Sequence, residues 1–137
     1  VAHNCEAMAV SVPANKIYLV TKTLAPTCSV YELPLADRTP EQPLTARRVA
    51  ALRVKEVTAM DLSADDRRAI VLTYTDAWEY LREPGESWPE AFSREPRFIE
   101  MPFRKQGESI CYDAGGKHFY LTSEGEPSPL WSVPVPP

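Results

Sequence analysis

Two glutamates and a threonine recur at matching places along the chain and offer oxygen ligands for a cation. Glu6, Thr58 and Glu108 begin three similar segments whose starts lie 52 and 50 residues apart. Ca²⁺ binds clusters of carboxylate, hydroxyl and carbonyl oxygens, so Glu6 and Glu108 would form a calcium site if the fold brings them together. The sequence suggests no other cofactor. The alternative is that these groups hydrogen-bond to neighbouring backbone and line a water-filled channel.

A second set of polar residues follows the second predicted strand of each segment. Their hydroxyls, ammonium and carboxylates recur on one face, which predicts a ligand-binding surface because binding residues concentrate on loops held by a rigid scaffold. The alternative is that threonine favours strands and hydrogen-bonds to the adjacent loop. The residues are Thr21, Lys22, Thr73, Thr75, Asp76 and Glu124.

Trp88 lies in a proline-rich connection, residues 84–97, that also contains several acidic residues. This setting predicts an exposed tryptophan that contacts a ligand. The alternative is that the ring pins the connection to the rest of the protein. Proline suits the first position of a helix, so one helical turn is expected at residues 89–92.

No catalytic residue is predicted. The sequence contains no GxSxG elbow, HExxH helix, P-loop or GxGxxG turn. His3 and His118 are its two histidines, and their spacing defines no Ser–His–Asp set. Cys5, Cys28 and Cys111 show no CxxC spacing. Three buried thiols are therefore expected, with one disulfide and a free thiol as the alternative.

The composition is that of a folded protein. Of 137 residues, 44% are hydrophobic and 25% are charged, with a formal net charge of −4. The 15 Lys and Arg against 19 Asp and Glu exclude a strongly basic surface for nucleic acid. No apolar run approaches the roughly 20 residues of a membrane helix. The 14 prolines and 5 glycines disfavour long helices and favour many short strands.

One sequence unit occurs three times. Each copy contains two short strands joined by a tight turn, and Thr21, Thr73 and Thr122 close the second strand of each copy. A third apolar segment follows in every copy, and a fourth follows in the first two, at residues 48–54 and 97–103. Four short strands in about 50 residues are the pattern of a β-propeller blade. The sequence therefore predicts an all-β propeller fragment of three four-stranded antiparallel blades, the last without its outer strand, with about 11 strands.

Residues 45–60 offer a helical alternative. Their helix propensity is high when they are taken alone, but their apolar positions form no sustained helical stripe. Residues 58–63 also align with segments that are predicted strands in the other two copies. The strand prediction is therefore favoured.

The turn after the first strand of each unit resembles the WD40-like repeat of TolB-type propellers, in which a strand ends in Ser-Pro-Asp-Gly-Lys/Arg. In the second unit Ala64 and Asp66 replace the Pro and Gly of that family, and Tyr112-Asp-Ala-Gly-Gly-Lys117 is a closer match. The strand openings at Glu6 and Glu108 also resemble, more loosely, those of bacterial phytase-like esterase propellers. The resemblance implies a propeller fold and favours an exported or periplasmic location. It specifies the fold better than the activity, because propellers host enzymes, lectins and scaffolds alike.

A single partial propeller domain is expected, with blades at about residues 5–55, 56–104 and 105–137. Propellers close with at least four blades, so three blades leave two apolar faces in need of a partner. The remaining blades of a larger propeller are one expected partner, favoured by the start at Val1 without Met. The other is a second copy that pairs about a two-fold axis into a six-blade ring.

The favoured function is a binding or scaffold module that holds a protein or small-molecule ligand at the channel mouth or on the loop face. One alternative is a calcium-dependent, phosphoesterase-like hydrolase with Glu6 and Glu108 as metal ligands, although few basic residues lie near these carboxylates. The other is a homo-oligomeric, lectin-like propeller, which would need similar loops in every blade. The loops differ strongly between copies, which favours the binding module.

Overall fold

The computed structural model describes residues 2–35 and 43–137. Within these ranges, 11 strands and one helix form three antiparallel sheets. Sheet 1 contains β1 (Cys5–Ser11), β2 (Lys16–Thr21), β3 (Cys28–Pro34) and β4 (Arg47–Leu52). Sheet 2 contains β5 (Ala59–Leu62), β6 (Arg68–Leu72), β7 (Ala77–Leu81) and β8 (Arg97–Ile99). Sheet 3 contains β9 (Gly107–Tyr112), β10 (His118–Ser123) and β11 (Trp131–Pro134).

In each sheet the strands are hydrogen-bonded in chain order. The predicted all-β fold, with four, four and three strands, is confirmed and is compatible with a partial propeller. Residues 47–52 and 59–62 are strands, so the strand prediction for residues 45–60 is confirmed over these positions. No helix of the described ranges is long and apolar enough to cross a membrane.

The predicted helical turn is confirmed as α1 (Trp88–Phe92). Ser87 caps it, since its hydroxyl accepts from the amide of Glu90 while the Glu90 carboxylate accepts from the amide of Ser87. This reciprocal pair satisfies two backbone donors that the first helical turn leaves free. The apolar face of α1 is buried against the core between sheets 1 and 2.

Two apolar cores hold the three sheets together. Side chains alternate between the two faces of a strand, and in β1 Ala7 and Ala9 point into the first core, between sheets 1 and 2. The second core lies between sheets 2 and 3 and includes Ile70 and Phe119. Sheet 2 contributes to both cores, which explains why four consecutive residues of β6, Ala69–Leu72, are all fully buried. An uninterrupted apolar run is the pattern of a strand covered on both faces.

The hairpin turns within the sheets also bind one another across the sheet boundaries. Each turn between the first two strands of a sheet contains one residue with positive φ: Asn15, Asp66 and Gly116. The Ser11 hydroxyl donates to the Asp66 carboxylate over 2.9 Å, which joins sheet 1 to sheet 2. Arg68 donates to the Gly116 carbonyl over 3.0 Å, which joins sheet 2 to sheet 3.

The prediction of three buried thiols is wrong. All three cysteines are free, and only Cys28 is buried. Cys5 begins β1 at the end of sheet 1. Cys111 lies between the core residues Ile110 and Tyr112 and therefore points to the opposite, uncovered face of sheet 3.

Gly116→Ala is expected to lower the free energy of unfolding more than Gly85→Ala. Both glycines have φ in the left-handed region, +63° and +79°, where an L side chain costs about 1 kcal/mol. Around Gly85 nothing lies within 4 Å of an added Cβ, whereas at Gly116 the Cβ would overlap the Arg68 guanidinium. Displacing Arg68 loses its bond to the Gly116 carbonyl and its stacking on Tyr112, which adds about 1–2 kcal/mol. Urea unfolding of both variants measures the difference, and equal losses would contradict the turn contact.

Candidate functional site

A recess of about 550 Å³ opens between the ends of sheets 1 and 3. From sheet 1 it receives Glu6 in β1 and Lys22, the residue after β2. The residues from sheet 3 and its flanks are Gln106, Glu108, Thr122, Ser123 and Glu124. The fold thus brings together four residues that the sequence predicted as two separate sets: Glu6 and Glu108 for a metal, and Lys22 and Glu124 for a ligand. We call this recess the mouth site.

Lys22 is the cation of the mouth site. Its ammonium donates to Glu6 Oε2 over 2.6 Å and to the Tyr74 hydroxyl, and it lies 4.4 Å from the centre of the Tyr74 ring. Burial alone would lower the pKa of Lys22, but the hydrogen bonds to Glu6 and Tyr74 and the charge of Glu108 raise the pKa above its usual value. Lys22 is therefore charged at neutral pH.

The carboxylates of sheet 3 share a donor. The side-chain amide of Gln106 donates to Glu108 Oε1 and to Glu124 Oε2, each over 2.9 Å. The backbone amide of Glu124 donates to the Gln106 carbonyl over 2.9 Å, which holds the two segments side by side. One amide therefore keeps two like charges close together, a placement that two carboxylates would otherwise oppose.

The mouth site contains residues that the sequence analysis did not select. Gln106 precedes β9 and corresponds in the repeat to Asn4, whose side-chain amide donates to Glu6 Oε1 over 3.2 Å. The shared spacing of an amide two residues before a glutamate was a signal that the sequence analysis did not use. Tyr74 stands in the repeat where Lys22 stands one unit earlier. The contact between their side chains shows that this repeat position meets its neighbour across the sheet boundary. The 52-residue spacing relates Lys22 to Tyr74, but it predicts a contact between them only if consecutive sheets are adjacent in the fold.

The other predicted ligand residues do not join the mouth site. Thr21 and Thr73 are buried and complete local turns: the Thr21 hydroxyl accepts from the amide of Ser29, and the Thr73 hydroxyl accepts from the amide of Asp76. Thr73, Thr75 and Asp76 line a second recess, of about 400 Å³, together with residues that include Lys55 and Trp78. The single ligand-binding face expected from the repeat is therefore divided between two places.

Thr58, which recurs with Glu6 and Glu108 in the repeat, does not line the mouth site. Thr58 is buried, and its hydroxyl donates to the Gly107 carbonyl over 2.7 Å, a bond between sheets 2 and 3. Among residues 2–35 and 43–137, no three His, Cys, Asp or Glu side chains are grouped so that they could hold a metal ion. The carboxylate of Glu6 faces the Lys22 ammonium instead.

Trp88 corrects the expectation of an exposed contact residue. It is 1% exposed and packs in the core between sheets 1 and 2, stacked on Phe92. Its indole N–H donates to Asp66 Oδ1 over 3.1 Å, and the same carboxylate accepts from Ser11 and Arg82. The expectation was wrong because the buried partner, Asp66, comes from a turn 22 residues away. The alternative, in which Trp88 pins its connection, describes what the structure shows.

The comparisons with known proteins concern the fold. No protein-family model and no curated protein matches the chain. A crystal structure of a candidate 6-phosphogluconolactonase from Bacteroides uniformis is similar, with a TM-score of 0.67 and 12% identity over 99% of this chain and 38% of that one. KlAtg21 in complex with the coiled coil of AgAtg16 has a TM-score of 0.52 and 10% identity over 98% of this chain and 41% of that one.

At 12% and 10% identity these likenesses show the fold alone. The chain spans about two fifths of the length of each of these proteins, as the 38% and 41% coverage shows. The all-β antiparallel architecture is thus shared with longer proteins, and its three sheets are compatible with part of a propeller.

Trp88→Phe is expected to lower the free energy of unfolding by about 1–3 kcal/mol, because the buried Asp66 carboxylate loses the indole donor. Trp131→Phe is the matched control: Trp131 is only partly buried at the edge of the second core, so its loss should be less than half as large. Urea unfolding followed by circular dichroism measures both. A Trp88→Phe variant as stable as the native protein would contradict the buried bond.

Proposed function

We propose that the chain is part of a β-propeller of the WD40-like, TolB-type class that acts as a binding module, with its ligand at the mouth site. The sheets at residues 5–55, 56–104 and 105–137 are its blades in this proposal. The observation that carries it is the convergence of Glu6, Lys22, Glu108 and Glu124 on one recess. Charged side chains from separate sheets converge there at strand ends, which is where rigid scaffolds concentrate binding residues.

The charge of the mouth site selects the class of ligand. Three carboxylates face one ammonium, and the ammonium is already paired with Glu6. Glu108 and Glu124 share a single neutral donor, Gln106, so their remaining oxygens are free to accept from a ligand. This arrangement suits a ligand with amino or guanidinium groups, such as a basic peptide segment. The complex of KlAtg21 with a coiled coil supports a protein ligand by analogy of fold.

A hydrolase is the second candidate, because the similar protein from Bacteroides uniformis is described as a candidate 6-phosphogluconolactonase. The mouth site disfavours this reading. A phosphorylated substrate carries negative charge, and three carboxylates against one paired ammonium would repel it. The acidic surplus therefore favours a cationic ligand over a phosphate ester.

Tetra-arginine is the probe for the binding proposal. Isothermal titration is expected to show binding that weakens as NaCl rises from about 20 to about 300 mM, because exposed charge pairs are screened. Glu108→Gln should weaken binding about fivefold, the effect of about one exposed charge contact. Glu83→Gln is the matched control, since Glu83 is an exposed glutamate in the connection after β7 and does not line the mouth site. Equal losses in the two variants would assign the effect to net charge and contradict the mouth site.

Calcium tests the metal alternative that Glu6 and Glu108 raised. A ligand present at about 100 times its dissociation constant stabilises the native state by about 2.7 kcal/mol. This raises the melting temperature of a domain of this size by several degrees. We expect a shift below about 2 °C at about 1 mM Ca²⁺, because Lys22 already neutralises Glu6. A larger shift that Glu108→Gln abolishes would establish the calcium site. If a larger shift survives in Glu108→Gln, the ligands lie elsewhere.

A further inference from the structure

Each sheet has two faces, and the sequence repeat matches each residue on a face of one sheet with a residue on the same face of the next. The face of sheet 1 that points toward sheet 2 is called its forward face, and the opposite one its rear face; the same terms apply along the series to sheets 2 and 3. The forward face of sheet 1 covers the rear face of sheet 2, and the forward face of sheet 2 covers the rear face of sheet 3. Among the described residues, no sheet covers the rear face of sheet 1 or the forward face of sheet 3. On the rear face of sheet 1, the His3 ring packs against Tyr31 and is within hydrogen-bond distance of its hydroxyl.

The uncovered rear face of sheet 1 has the composition of a covered one. Met8 and Val10 on this face are 60% and 39% exposed. In the repeat, 52 residues on, they correspond to Met60 and Leu62, which pack into the core between sheets 1 and 2. The strand registers extend the match to four further pairs: Ile17 with Ala69, Leu19 with Val71, Tyr31 with Trp78, and Leu33 with Tyr80.

The uncovered forward face of sheet 3 matches the forward face of sheet 1. Ser109 and Cys111 occupy the repeat positions of Ala7 and Ala9, so both inner strands carry small side chains there. Tyr120 occupies the position of Tyr18. In the existing boundary, this arrangement of small residues beside a tyrosine covers the rear face of sheet 2. Thr122 stands where sheet 1 has Val20, so this face is more polar than its counterpart. Its small residues and its tyrosine nevertheless occupy the positions that, in sheet 1, contact the rear face of sheet 2, and this fits the rear face of sheet 1.

Charge gives the same pairing. Lys22, Tyr74 and Glu124 occupy one repeat position, with spacings of 52 and 50 residues. Lys22 touches Tyr74 across the boundary between sheets 1 and 2. If sheet 3 were followed by sheet 1 of a second copy, Glu124 would meet the Lys22 of that copy. Opposite charges would then face each other at one end of the boundary.

From these two matched faces and this charge pair, we propose that two copies of the chain dock sheet 3 of each on sheet 1 of the other. The result is a closed ring of six sheets about a two-fold axis, within the range of four to eight blades that propellers use. This goes beyond the proposed function, since it assigns a surface outside the mouth site. The docking surface shares Glu124 and Lys22 with the mouth site: in the ring Glu124 joins the Lys22 cluster of the other copy, and Glu108 remains the carboxylate open to a ligand.

Light scattering on a sizing column tests the ring with the 137-residue chain. The expected mass is twice 15.4 kDa. Val10→Asp should yield a folded monomer, because a carboxylate cannot be buried unpaired on the docking face. Leu81→Asp is the matched control: Leu81 is 45% exposed, close to the 39% of Val10, but ends a strand of sheet 2, both of whose faces are covered. A native monomer, a polydisperse aggregate, or a dimer that survives Val10→Asp overturns the proposal.

A disulfide gives a second, independent readout. Asp61 Oδ2 accepts from the amide of Tyr112 over 2.9 Å, across the boundary between sheets 2 and 3. Cys111 occupies the repeat position of Asp61, and Val10 occupies that of Tyr112. At the proposed boundary between copies, Cys111 should therefore lie beside Val10 of the other copy. Val10→Cys should then place a thiol within disulfide reach of Cys111. Mild oxidation is expected to give a covalent dimer that the added substitution Cys111→Ser abolishes. A covalent dimer that persists with Cys111→Ser joins other cysteines and overturns the pairing.

These outcomes are separable from those of the binding proposal. A dimer that fails to bind tetra-arginine removes the proposed function and leaves the ring. A monomer that binds tetra-arginine, with the expected loss in Glu108→Gln, removes the ring and leaves the proposed function.

Discussion

The structure depends on one constraint: a sheet that is apolar on both faces must be covered on both. Sheet 2 meets this condition, since Ile70 and Val71 of one strand enter different cores and both are fully buried. Stacking of this kind buries apolar surface at roughly 25 cal/mol per Å², and it needs no long helix. A chain with 14 prolines can therefore fold in this way. Stacked sheets need only short strands, and short strands leave room for prolines in the connections between them.

Apolar stacking alone would let the sheets slide, and buried polar contacts define their register. Asp66 accepts from Ser11 of the preceding sheet and from Arg82 and Trp88 of its own. Glu79 is fully buried, pairs with Arg97 and accepts from the Tyr112 hydroxyl of the next sheet over 2.8 Å. Burying a charge is costly unless it is paired and hydrogen-bonded. A displaced sheet would strip these carboxylates of their donors, so the contacts favour one arrangement.

Features that follow from local sequence patterns were predicted, whereas contacts between residues of different sheets or hairpins were missed. The strands, their order and the helical turn follow from local patterns: alternation of side chains, recurring threonines, and Ser87 three residues before Glu90. Trp88 and Gln106 did not follow, because the partner of Trp88 is on another hairpin and Gln106 bridges two carboxylates that meet only in the folded protein. The mouth site was predicted as two sets, since sequence spacing does not show which sheet ends face each other.

The ligand preference of the mouth site depends on which cation is paired with Glu6. An ammonium on the chain is present at a fixed position, so a calcium ion would have to displace it and leave Lys22 without its carboxylate partner. Of the hydrogen bonds that the structure describes for it, the displaced ammonium would keep only the one to the Tyr74 hydroxyl. Within one copy, Glu108 and Glu124 are hydrogen-bonded to Gln106, which carries no charge, and neither is hydrogen-bonded to an ammonium in the described part of the chain. The acidic side of the recess is therefore the side open to a ligand, and the donors that fit it best are those that bring positive charge.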